Sequence, residues 1–147
     1  MRYLLFVSVM AFLACLSGCG GGDGTPDGYS LDDGWVTTPT GLKYRDIYLS
    51  PTGNQVVSGS SVSVYYTGTL DDGSVFDSTD NHGGQAFTFV IGQGNVIEGW
   101  DQGLMGLRAG SRTMLIIPPS LAYGDQAVND IPANSTLHFT IEIVSVD

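Results

Sequence analysis

The chain has 147 residues, of which 15 are acidic and five basic, so its formal net charge is −10 at pH 7. Such an acidic surface disfavours nucleic acids and anionic lipid headgroups as partners. The only two cysteines lie at positions 15 and 19, so the rest of the chain can hold neither a disulfide framework nor a thiolate metal site.

The first element in the chain is an apolar leader. Arg2 precedes an apolar run over residues 3–16, which is too short for a membrane-spanning helix and typical of a secretory signal. The stretch Leu-Ser-Gly-Cys that ends at Cys19 resembles a bacterial lipobox, in which the cysteine is lipidated and becomes the first residue of the mature protein. Cys15 fits that pattern less well, and the alternative is a plain secreted protein with two incidental cysteines.

We therefore predict a signal peptide over residues 1–18 and a lipid anchor on Cys19. The next residue is Gly20, not the aspartate that usually retains such lipoproteins in the inner membrane. The expected location is therefore the bacterial outer membrane, with the protein facing the periplasm or the cell surface.

Residues 19–40 are rich in Gly, Asp and Thr and show no hydrophobic periodicity. This composition predicts a flexible tether. Trp35 lies within it, and the sequence leaves open whether that side chain docks on the body or is exposed. Residues 41–147 have the length of one ordinary domain.

The body contains five or six short strands in chain order. A less regular strand is predicted over residues 42–49, and the next, 61–70, alternates with Val62, Val64 and Tyr66 on one face. Asp72-Gly73 is a strong turn signal. Further strands are predicted over 87–92, 111–118 and 135–147, the last with Leu137, Phe139, Ile141 and Ile143 pointing inward.

A single segment, Glu98 to Leu104 or slightly beyond, has the apolar spacing of a helix. It must cover the apolar face of the sheet, and it carries Trp100. Gly99 and Gly103 lie on one side of this helix, which predicts a close approach to a strand or loop. The fold class is therefore α+β, with a curved antiparallel sheet of five to six strands wrapped around one short helix.

Four motifs occur in order along this body: Tyr-Thr-Gly, Phe-Asp-Ser, Val-Ile-x-Gly-Trp and Ala-Tyr-Gly. Together they resemble the FKBP family of peptidyl-prolyl cis-trans isomerases, over residues 41–146. The resemblance implies a pocket with Trp100 as its floor, Asp77 hydrogen-bonded at its rim, and the Tyr123 hydroxyl offered to the substrate carbonyl. It implies catalytic roles for Tyr66, Phe76, Asp77, Trp100, Tyr123 and Phe139, and substrate contacts for Phe87, Val96, Ile97 and Ile131.

Two loops depart from the family pattern. The segment STDNHGGQAF is one residue longer than in the commonest small members and lacks their arginine, and His82 lies near that place. The loop GDQAVNDIPAN is one residue shorter, with Asp130 where an apolar residue is common. These departures concern the pocket rim, and we expect both His82 and the strand residue His138 to be exposed to solvent.

The resemblance implies rotation about X–Pro bonds in extracytoplasmic polypeptides. This reaction makes and breaks no bond between heavy atoms, and no His, Cys or carboxylate cluster has metal-ligand spacing, so we expect no metal or cofactor. Expected partners are proline-containing chains and macrolides of the tacrolimus and rapamycin type, and the body is expected to be monomeric. The alternative is a non-catalytic peptide-binding or chaperone module on the same fold, because fold alone does not determine function.

Overall fold

The computed structural model of the protein describes residues 30–32 and 34–147. The predicted signal peptide and Cys19 lie outside this part of the chain. The described strands are β1 (Ser30–Asp32), β2 (Trp35–Thr37), β3 (Lys43–Tyr48), β4 (Ser61–Thr69), β5 (Val75–Ser78), β6 (Phe87–Val90), β7 (Arg112–Ile117) and β8 (Leu137–Val146). The helix α1 (Glu98–Leu104) lies between β6 and β7, and short 3-10 helices span Thr79–His82 and Pro119–Leu121.

The strands form one antiparallel sheet in the order β1-β2-β3-β7-β8-β4-β5. The long strand β4 pairs with β8 along one edge and divides its other edge between two strands. Its first half pairs with β6, where Val62 faces Phe89, and its second half pairs with β5, where Gly68 faces Asp77. The strands β5 and β6, which are distant from β8 in sequence, therefore both lie beside β4, the neighbour of β8 in the sheet.

The predicted alternation in the central strands is confirmed. The inward-facing residues Val62 and Val64 of β4 and Ile141 of β8 are fully buried, and such burial stabilises the fold because each Å² of buried apolar surface contributes about 25 cal/mol. The five strands whose ranges were predicted are all present, as β3, β4, β6, β7 and β8, and α1 begins at the predicted residue. The expected fold class, an antiparallel sheet with one short helix, is therefore confirmed.

Two further strands extend the sheet where a flexible tether was predicted. The β1–β2 hairpin turns at Gly34, whose φ of +83° suits glycine, and β2 pairs with β3. Val36 packs against the core, and the Arg45 guanidinium lies 5.4 Å from the centre of the Trp35 ring. The prediction of coil up to residue 40 is thus wrong for these strands, because the open edge of β3 offers backbone groups that a short segment can pair with.

Helix α1 crosses the sheet at close range, as its glycines predicted. A Cβ atom added at Gly99 would overlap Ile117 of β7, and one added at Gly103 would lie 2.7 Å from Cδ1 of Leu115. Both glycines therefore let the helix backbone lie directly against β7. Among the described residues, no helix is long and apolar enough to cross a membrane.

Candidate active site

The site is built from aromatic side chains that four strands and the helix bring to one place. Tyr66 comes from β4, Phe76 from β5, Phe87 from β6 and Phe139 from β8, and Trp100 comes from α1. Each strand residue lies on the face that its period-two alternation directs toward the helix. Gly68 keeps this space open, because a Cβ atom there would lie 2.6 Å from Phe76 and 2.8 Å from Phe139.

Trp100 is the floor of the site and is only 3% exposed. Its ring centre lies 5.1 Å from that of Tyr66 and 5.2 Å from that of Phe139, and both pairs meet edge to face. Such pairs contribute about 0.5–1.5 kcal/mol beyond their buried area. The buried indole N–H of Trp100 has no hydrogen-bond acceptor among the described residues.

Above this floor lies a cavity of about 570 Å³. Phe87 and Tyr123 stand at its mouth and are 41% and 39% exposed, although aromatic side chains are more often buried. The full lining is Tyr66, Phe76, Asp77, Thr79, His82, Gln85, Ala86, Phe87, Asn95, Val96, Ile97, Trp100, Tyr123 and Phe139.

Asp77 is the anionic group of the cavity. Its Oδ2 accepts a 2.7 Å hydrogen bond from the Tyr66 hydroxyl, and its Oδ1 accepts one of 2.9 Å from the Ser78 backbone N–H. His82 Nε2 lies 2.8 Å from the same Oδ1. Partial burial opposes ionisation, but the hydrogen bonds from Tyr66, His82 and Ser78 outweigh it and hold the pKa of Asp77 below its ordinary value.

The hydroxyls of Tyr66 and Tyr123 differ in their hydrogen bonding. Burial, together with the hydrogen bond to Asp77, raises the pKa of Tyr66 well above its ordinary value. Burial and the nearby Asp77 charge also raise the pKa of Tyr123. The Tyr66 hydroxyl is occupied by Asp77, whereas no hydrogen bond within the described residues engages the hydroxyl of Tyr123, which therefore remains a neutral donor available to a ligand.

Nine of the ten residues that the resemblance placed in the site line this cavity. Ile131 does not: it is buried in the core cluster, and its backbone exchanges hydrogen bonds of 2.8 and 2.9 Å with Val128. Its predicted contact with substrate stays a prediction.

Sequence reasoning missed the contact between His82 and Asp77, although it noted the position of this histidine. Its side chain is exposed as expected, yet its ring is bonded to Asp77. His138 likewise contacts Asp71, at 2.7 Å. In the described part of the chain, no group of three or more His, Cys, Asp or Glu residues could hold a metal ion.

The family model described as FKBP-type peptidyl-prolyl cis-trans isomerase matches residues 53–144. FK506-binding protein 2 of Dictyostelium discoideum is 44% identical over 108 residues, covering 73% of this chain and 78% of that protein. FK506-binding protein 2 of Yarrowia lipolytica is 53% identical over 90 residues, covering 60% of this chain and 62% of that protein, which is less than two thirds of its length.

Two solved structures are similar to this fold. The crystal structure of AtFKBP13 superposes with a TM-score of 0.71 at 37% identity, covering 77% of this chain and 98% of that one. The crystal structure of FkpA from Escherichia coli superposes with a TM-score of 0.72 at 38% identity, covering 79% of this chain and 53% of that one.

Proposed function

Because the chain belongs to the family of FKBP-type peptidyl-prolyl cis-trans isomerases, we propose that it accelerates rotation about X–Pro bonds in polypeptides, using the cavity above Trp100. The observation that carries this proposal is a cavity with an aromatic floor and walls, next to the Tyr123 hydroxyl, which no hydrogen bond among the described residues engages. The proline ring would lie on the Trp100 indole, between the Tyr66 and Phe139 rings.

The chemistry requires no nucleophile. Rotation about the X–Pro bond has a barrier of about 20 kcal/mol, which arises from amide resonance. The planar amide is more polar than the twisted one, because resonance separates charge between oxygen and nitrogen. A water-free aromatic cavity therefore stabilises the twisted transition state relative to the planar ground state, which is catalysis by differential binding.

The Tyr123 hydroxyl would orient the substrate carbonyl, a role supported by the place of this residue in the cavity lining. Its raised pKa keeps it a neutral donor, so it fixes geometry without strongly stabilising the charge of the planar amide. The Tyr66 hydroxyl cannot serve in this way while it donates to Asp77. The role of Asp77 would be to hold Tyr66 in place as one wall of the cavity.

The test is an exchange assay on Leu-Pro and Phe-Pro peptides, since the apolar walls suit a bulky residue before proline. We expect acceleration by the wild type and about a five-fold loss in Tyr123→Phe, the effect of about 1 kcal/mol for one neutral hydrogen bond. Tyr65→Phe is the matched control, because that tyrosine is exposed and does not line this cavity. Exchange no faster than that of the free peptide would favour the non-catalytic peptide-binding module.

We also propose that macrolides of the tacrolimus and rapamycin type occupy the same cavity, supported by the name of the relatives, FK506-binding protein 2. Tacrolimus should quench or shift the fluorescence of Trp100 in a Trp35→Phe background. An unchanged signal at high ligand concentration would contradict this proposal.

For location, we propose a lipid on Cys19 and attachment to the outer membrane, supported by the apolar leader and the Leu-Ser-Gly-Cys stretch. Cys19→Ser should release the protein into the soluble fraction, and Cys15→Ser should not. The opposite pattern would assign the anchor to Cys15.

A further inference from the structure

His82 stands at the mouth of the cavity and is bonded to its carboxylate. Its Nε2 lies 2.8 Å from Asp77 Oδ1, and its side chain is 64% exposed. The 3-10 helix Thr79–His82 creates this contact by returning the chain toward β5. The helix itself is fixed by the side chain of Ser78, which accepts a hydrogen bond from the backbone N–H of Asn81.

The hydrogen bonds define where protons reside in this pair. An ionised carboxylate can only accept hydrogen bonds, so His82 Nε2 must carry a hydrogen even when the ring is neutral. A second proton would then bind at Nδ1. The pair consequently has a net charge of −1 when the imidazole is neutral and no net charge when the imidazole is protonated. In general, histidine is the side chain whose charge changes between about pH 5 and 8.

The charge at the mouth of the cavity depends on the His82–Asp77 pair, because the other groups that line the cavity are neutral. Tyr66 and Tyr123 are the other titratable residues that line the cavity, and both have raised pKa values that keep them neutral in this range. The loop that carries Val96 and Ile97 contributes no charged group to the lining. Asp80, on the same 3-10 helix as His82, is an exposed carboxylate that does not line the cavity.

We propose that His82 is a specificity-determining residue, whose protonation state sets the preference of the site for the charge of the residues next to proline. This inference rests on the proposed function. With a neutral ring, the mouth is anionic and favours Lys-Pro over Glu-Pro peptides. With a protonated ring, that preference declines.

The expected effect is modest because the charges are exposed. For an assumed separation of about 7 Å, two unit charges in a dielectric near that of water and at 0.15 M salt change the Lys-Pro to Glu-Pro ratio of kcat/KM by about two-fold. The ratio for wild type should fall by that factor between pH 8 and pH 5.5. Comparing two peptides on one enzyme cancels effects of pH that act on both.

Two substitutions separate charge from structure. His82→Gln, which stays neutral, should keep the high ratio at both pH values, and His82→Arg, which stays charged, should keep the low ratio at both. The matched control is His138→Gln: the chain has two histidines, and His138 makes the equivalent contact with Asp71 at 2.7 Å, outside the cavity lining. For His138→Gln, the Lys-Pro to Glu-Pro ratio should fall as pH is lowered, as it does in wild type.

A wild-type ratio that is constant with pH, or a fall that persists in His82→Gln, would overturn the inference. The same two peptides are also titrated at both pH values while the indole N–H resonance of Trp100 is recorded. If wild type catalyses no exchange, the proposed function fails, and the ratio of the two affinities then decides on His82 by itself. A pH-independent affinity ratio would reject the role of His82 even in an active isomerase.

Discussion

Replacing Gly99 with alanine should destabilise the protein, although alanine is the better helix former. The added Cβ would overlap Cγ2 of Ile117 and lie 2.7 Å from its Cδ1 and 2.9 Å from its Cγ1. Ile117 is fully buried, and its branched Cβ prevents these carbons from moving aside together. Overpacking of this kind costs about 1–3 kcal/mol, against a gain of up to about 1 kcal/mol in helix propensity, so we expect a net loss of about 1–2 kcal/mol.

The second glycine of the helix provides an internal comparison. A Cβ atom at Gly103 would meet the two terminal methyl groups of Leu115, at 2.7 and 2.8 Å. The end of a leucine side chain moves more easily than the branched stem of an isoleucine. Gly103→Ala should therefore cost less than Gly99→Ala, and the β-branched Gly99→Val should cost more than both.

Thermal and urea unfolding measure these effects. For a domain of about 100 residues, 1 kcal/mol corresponds to about 4–8 °C in Tm. The double variant of Gly99→Ala with Ile117→Ala removes the three carbons that clash. Its loss should be at least 0.5 kcal/mol smaller than the sum of the two single losses, as is usual for residues in contact.

A Gly99→Ala protein that melts at or above the wild-type temperature would refute this reasoning. So would additivity of the two substitutions. Either result would mean that the glycines of α1 do not serve close packing against β7.

Three other perturbations give distinct expectations. Trp100→Leu should lower both turnover and Tm, by less than the 3–5 kcal/mol typical of truncating a buried aromatic to alanine; exchange rates and melts would show this. Folding lowers the pKa of Asp77. Its contribution to stability is therefore present above about pH 4 and is lost as pH falls through the folded pKa. In melts from pH 7 to 2.5, Asp77→Asn should show a smaller decrease in Tm than the wild type. Removing residues 1–40 should lower Tm relative to removing residues 1–29, because it also strips β2 from the edge of β3.

The central strands could be predicted because their signal is local. In β4 and β8, buried residues recur at every second position over much of the strand, separated by less buried ones, because one face of the sheet is covered. The β1–β2 hairpin could not be found in this way. Its strands have three residues each, too few for a periodicity, and they exist because β3 offers an edge distant in sequence.

The candidate site was predicted through its motifs rather than through periodicity, which treats Tyr66 or Phe139 like any other core residue. The catalytic and binding roles of these residues stay predictions. Ile131 does not line the cavity, because the bridge between it and Val128 belongs to a turn whose geometry is not visible in a residue type, and its substrate contact stays a prediction. The contact between His82 and Asp77 depends on one turn of 3-10 helix, which the sequence alone does not indicate.

The position of β8 in the sheet has a consequence for how the chain acquires its structure during synthesis. This strand lies between β7 and β4, and every strand that it joins precedes it in the chain. Until residues 137–146 have left the ribosome, β4 lacks its longest partner and the cavity lacks Phe139. Contacts between residues so far apart in sequence form slowly, so a nascent chain should remain sensitive to proteases until its synthesis has passed β8 and become resistant in a single step afterwards.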